Sequence, residues 1–122
     1  MNKEEFGRWG EERAASHLEG LGYEVVARNW RSEHGELDLV TRQGDSWVFV
    51  EVKARRSDRF GTAEEAITPA KARHLLEAGQ AYLAAHDLEG VAWRIDVVTV
   101  TVWGGDYSHP AVEVYPNAVS GW

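Results

Sequence analysis

Two short apolar runs, Glu36-Leu37-Asp38-Leu39-Val40 and Trp47-Val48-Phe49-Val50-Glu51-Val52-Lys53, flank the turn tripeptide Gln43-Gly44-Asp45. Rich in β-branched and aromatic residues, they predict two adjacent strands, roughly 36–42 and 46–53, joined as an antiparallel hairpin. A half-buried hairpin of this kind normally excludes ionisable groups. Asp38 and Glu51 nevertheless lie inside the apolar runs, so each needs a partner, and a divalent cation is one.

Side chains alternate along a strand, which puts Glu51 and Lys53 on one face and Val48, Val50 and Val52 on the other. Glu36 and Asp38 likewise share a face. Pairing of the two strands lets Asp38 and Glu51 converge on a Mg²⁺ (or Mn²⁺) ion, which would complete its shell with a backbone carbonyl, water and substrate phosphate. The chemistry expected of that set is phosphodiester hydrolysis. The metal would polarise the phosphoryl oxygen and activate water, and Lys53 would orient the water or offset charge developing on phosphorus. An acid, any residue and a lysine on a wet strand face is also a common surface ion pair, so Glu51-Val52-Lys53 gains its weight from the company of Asp38, Gly35 and the first helix.

Around the hairpin, Phe6, Trp9, Gly10, Ala14, Leu18 and Leu21 recur at helical spacing, with Gly20 and Gly22 as the stop. Residues 23–30 form a strand candidate. Thr68-Pro69 starts a second helix that carries Ala72, Leu75, Leu76, Gly79, Tyr82, Leu83 and His86 on its period. A fourth strand runs from Trp93 to Val102 and a shorter fifth covers Val112 to Tyr115. The predicted fold is α/β in the order αβββαββ, a mixed sheet flanked by helices. Residues 1–116 are expected to form a single domain and 117–122 a loose C-terminal tail.

A chain of 122 residues without cysteine supports one ordinary domain and excludes disulfides and thiolate zinc sites. The cytoplasm is therefore the expected location. No stretch approaches the roughly 18 to 20 apolar residues of a membrane span, so no membrane partner is expected. The net charge of −7 argues against coating nucleic acid by bulk electrostatics. Charge is polarised, however. Arg55, Arg56 and Arg59 follow the candidate acids, Lys71 can join them in space with Arg28, Arg31 and Arg73, and no Lys or Arg occurs after Arg94. These bases are the candidate contacts to DNA phosphates. The histidines show no zinc spacing, and Trp9, Trp47 and Trp93 fall in patterned elements where packing explains them.

Gly10-Glu11 with Ala14 and Leu18, Gly22-Tyr23, Arg28-Asn29, Gly35-Glu36-Leu37-Asp38-Leu39-Val40, Val48-Phe49-Val50-Glu51-Val52-Lys53, Ala66-Ile67-Thr68-Pro69-Ala70-Lys71 and Arg94-Ile95-Asp96-Val97-Val98 form a set spanning nearly the whole chain. It closely resembles the YraN-like family of small bacterial proteins, with Ile95 where that family more usually has Phe. The resemblance implies the restriction-endonuclease-like core shared with Holliday-junction resolvases. It implies that Asp38 and Glu51 are the metal-binding acids, that Lys53 is the lysine of the nuclease motif, and that Glu11 is the helix-borne glutamate that helps bind metal. Glu12 and Glu36 stand as alternatives to Glu11.

The expected activity is that of a Mg²⁺-dependent endodeoxyribonuclease acting on branched or damaged DNA. The alternative is a non-catalytic nucleic-acid-binding module of a DNA-processing complex. Two cuts in a branched substrate require two sites, which favours a homodimer.

Overall fold

In the computed structural model, which describes residues 1–56 and 67–119, a reciprocal capping box opens the first helix. Asn2 Oδ1 accepts the Glu5 N–H at 2.8 Å while Glu5 Oε1 accepts the Asn2 N–H at 3.0 Å. Helix α1 then runs Lys3–Gly20. Strands β1 (Glu24–Ser32), β2 (Gly35–Gln43) and β3 (Ser46–Arg55) follow, then helix α2 (Pro69–Ala85), β4 (Trp93–Thr101) and β5 (Ala111–Tyr115). The order αβββαββ and the mixed sheet flanked by helices are as expected, an arrangement consistent with a nuclease-like core.

The sheet has five strands in the order β1-β2-β3-β4-β5. Only β3 and β4 are parallel, because α2 carries the chain back between them; all other neighbours are antiparallel. The hairpin of β2 and β3 pairs Leu39↔Val50, Val40↔Phe49 and Thr41↔Val48 down to Gln43↔Ser46.

Strand alternation divides the core. Val48, Val50, Val98 and Val100 pack with Ala14, Ala15 and Leu18 of α1, whereas Phe49 and Ile95 pack with Leu75, Ala78, Tyr82 and Leu83 of α2. Trp30, Trp47 and Trp93 join the second cluster, and Trp9 joins the first. The approach of α1 to the sheet is set by Gly10, where an added Cβ would lie 2.6 Å from Ala54 Cβ.

The segment after β5 differs from expectation. Asp96, fully buried, accepts from Arg94 Nε at 2.9 Å, from Tyr23 Oη at 3.2 Å and from the Asn117 N–H at 2.8 Å. The Ala118 N–H donates to the Ile95 carbonyl at 2.8 Å, and Val119 is buried in the α2-side core. Residues 117–119 are thus tied to the sheet, Asn117 by a buried carboxylate that needs donors, Ala118 by a β4 carbonyl and Val119 by burial, instead of hanging loose; the remaining tail residues lie outside the described residues.

Candidate metal centre

The β2–β3 ladder ends at Leu39↔Val50, and the next residue outward on β2 is Asp38. The strands part there, leaving the Val52 N–H without a β2 carbonyl. Asp38 Oδ2 accepts it instead at 2.9 Å. A side chain thus takes the place of a backbone acceptor and is fixed in orientation by it.

Opposite Asp38 lies Glu51, only 2% exposed. Its Oε2 is 3.0 Å from Lys71 Nζ and 3.6 Å from Lys53 Nζ. Lys53 reaches it by strand alternation. Lys71 reaches it from the first turn of α2, which Thr68 Oγ1 caps by accepting the Lys71 N–H at 3.1 Å. Burial, then the Glu51 charge and a hydrogen bond with Glu51, push the Asp38 pKa up to about 8; the Val52 N–H opposes the shift and the Glu11 charge adds to it.

On the other side of Asp38, one carboxylate oxygen each from Glu11, Glu36 and Asp38 lie within 4.8 Å of one another, close enough to share a metal ion. The Asn29 amide holds two of these acids, Nδ2 donating to Glu11 Oε1 and to Glu36 Oε1 at 3.1 Å each. Arg31 Nε donates to Glu36 Oε2 at 3.0 Å. Glu11 lines two depressions. One, of about 320 Å³, is bordered by Asp38, Glu51, Lys53, Lys71, Phe6 and Lys3. The other, of about 620 Å³, is bordered by Arg8, Asn29, Arg31 and Glu36.

The structure brings Asp38, Glu51, Lys53, Glu11 and Lys71 to one pocket. Glu12 is excluded from the acidic trio because it pairs with Arg28, whereas Glu36 joins it. Glu51 touches Asp38 but stands outside the trio, held by its two lysines. Arg55 and Arg56 do not line the pocket. Arg55 Nε donates to Thr101 Oγ1 at 3.0 Å, while the Arg56 guanidinium lies 4.0 Å from the Phe6 ring centre and donates to Tyr107 Oη at 3.1 Å. Arg59 and Ala66 lie outside the described residues. Sequence reasoning gave no role to Asn29 and placed Lys71 among phosphate contacts, not beside Glu51. The only sequence signal for Asn29 was its place in the Arg28-Asn29 pair.

A family model described as the uncharacterised protein family UPF0102 matches residues 10–100. A UPF0102 protein of Chloroflexus aurantiacus is 48% identical over 111 residues, covering 88% of this chain and 90% of that protein. One from Mycolicibacterium vanbaalenii is 46% identical over 101 residues, 83% and 84% of the two chains. A more distant one, from Dehalococcoides mccartyi, is 36% identical over 118 residues, 97% and 95% of the two chains.

Proposed function

The chain belongs to the uncharacterised protein family UPF0102, and from its site we propose that it is a Mg²⁺- or Mn²⁺-dependent endonuclease hydrolysing DNA phosphodiester bonds, on branched or damaged substrates. The single observation that carries this reading is the convergence of Glu11, Asp38 and Glu51 with Lys53 and Lys71 in one pocket. The donors nearest one another are all carboxylate oxygens, the hard ligands that Mg²⁺ and Mn²⁺ prefer. Burial, and after it the neighbouring Glu51 charge, raises the Asp38 pKa, and a bound cation would offset both, so the donor set fits such an ion.

Asp38, with Glu11 and Glu36, would hold the ion, and the Val52 N–H keeps the Asp38 carboxylate aimed. Bound there, it would supply Lewis-acid polarisation of a phosphoryl oxygen and an activated water. Lys53, 39% exposed, presents an ammonium that can offset negative charge building on the phosphoryl oxygens during hydrolysis. Lys71 keeps buried Glu51 charge-compensated. The test is incubation with linear, flapped and four-way DNA in Mg²⁺, Mn²⁺ or EDTA. Cleavage that EDTA abolishes is expected; no cleavage of any substrate at micromolar protein with either metal would sink the endonuclease reading.

One observation favours a second reading. Glu51 already has two ammonium partners, so its burial is explained without a metal. A non-catalytic nucleic-acid-binding module would show salt-sensitive DNA binding in the same samples without cleavage.

A further inference from the structure

We propose that Asn29 is a positioning residue of this centre, holding Glu11 and Glu36 at the spacing that lets them share a cation with Asp38. The role rests on the metal-site reading above. Among the described residues, the non-glycine positions with positive φ are Asn29, Asp87 and Asn117. Asp87 and Asn117 lie in turns, but Asn29, at φ 50, lies inside β1. There it stands between the paired residues Arg28↔Leu39 and Trp30↔Leu37, at the level of Asp38. A left-handed residue within a strand costs about 1 kcal/mol or more and persists only where something offsets it. Asn29 is solvent-exposed, so core packing does not offset it. Its contacts do: one amide nitrogen donates to a carboxylate on α1 and another on β2.

The residue type follows from those two demands. Asn, Asp and Gly are the residues that enter the left-handed region most readily. Gly has no donor. Asp would add a further negative charge facing Glu11 and Glu36. Asn alone of the three combines the backbone shape with a neutral donor, and a neutral donor orients two carboxylates without competing for them as Arg or Lys would. Arg31, 78% exposed, pairs with Glu36 and, among the described residues, has no ion pair with Glu11. Among the described residues, Asn29 is thus the side chain that bonds both Glu11 of α1 and Glu36 of β2.

The experiment is calorimetric titration of Mn²⁺ into the parent and into Asn29→Gly, which permits the left-handed backbone and removes the amide. Loss of a group that orients metal ligands typically weakens affinity about 10- to 100-fold. That loss, with a melting temperature in EDTA close to the parent's, is expected. Asn29→Gly binding Mn²⁺ within twofold of the parent overturns the role of Asn29 while leaving the metal site intact. A parent that does not bind Mn²⁺ overturns the metal-site reading and this role with it. Asn29→Asp supplies a readout free of metal. In EDTA at pH 8 it should melt below Asn29→Gly, with the gap narrowing in high salt as repulsion from Glu11 and Glu36 is screened. Equal melting temperatures would mean that the side chain does not face those acids.

Discussion

Replacing Asp38 by asparagine should make the protein more stable in the absence of metal, and by more as the pH rises. The Asp38 carboxyl titrates near 8 in the fold against 3.8 unfolded, mainly because it is buried and secondarily because Glu51 faces it. Between those two values the native state holds a proton that the unfolded chain has released. Stability therefore falls as pH rises through this window, by up to about 1.4 kcal/mol per pH unit, and levels off above 8. The amide introduced by Asp38→Asn would keep an acceptor for the Val52 N–H, replace the carboxyl proton with a permanent N–H toward Glu51, and carry no titration. From pH 5 to pH 7 the stability advantage of Asp38→Asn over the parent should grow by about 1 to 3 kcal/mol, the full linkage slope being reduced for residual water contact. Urea unfolding at pH 5, 6, 7 and 8 in EDTA measures this, since titrating groups that do not touch Asp38 cancel between the two proteins and the difference reports Asp38 together with its hydrogen-bonded partner Glu51. Adding Mn²⁺ at pH 8.5 should narrow the gap, because the ion binds the ionised parent; a concentration of 100 times its Kd would contribute about 2.7 kcal/mol. Parallel stability curves for the two proteins across this range would refute the raised pKa of the buried Asp38 carboxyl.

Two further substitutions divide chemistry from architecture. Lys53→Met should lower single-turnover cleavage about 10² to 10³-fold while Mn²⁺ affinity holds or rises, because a preorganised ammonium is lost and the acids are kept; unchanged cleavage in the folded variant would remove Lys53 from the chemistry. Gly10→Ala should cost about 1 to 3 kcal/mol, since its Cβ would sit 2.6 Å from Ala54 Cβ and push α1, with Glu11, off β3. Thermal unfolding measures it, and Ala54→Gly in the same chain should restore most of the loss.

The sequence alone determined the elements and the pairing of the hairpin. Apolar β-branched and aromatic runs around Gln43-Gly44-Asp45 and a Thr68-Pro69 start are local signals, and they match β2, β3 and the capped α2. Strand alternation also predicted that Glu51 and Lys53 share a face, and the Lys53–Glu51 contact of 3.6 Å follows from it. What tertiary structure decided is which distant groups meet. Nothing local indicates that Glu12 turns to Arg28 while its neighbour Glu11 turns to Asn29, because a helical rotation between adjacent residues selects a face only once α1 is docked through Gly10. Nor could spacing reveal that Lys71, from the far side of the crossover, would neutralise Glu51, or that Arg56 would lie on Phe6 and reach Tyr107. The tail is the same case: residues 117–119 look loose until Asp96, buried in β4, takes the Asn117 N–H and Ile95 takes that of Ala118. Periodicity is a property of neighbours along the chain, but charge compensation is settled among neighbours in space, and in this protein the candidate site is built almost entirely from the second kind.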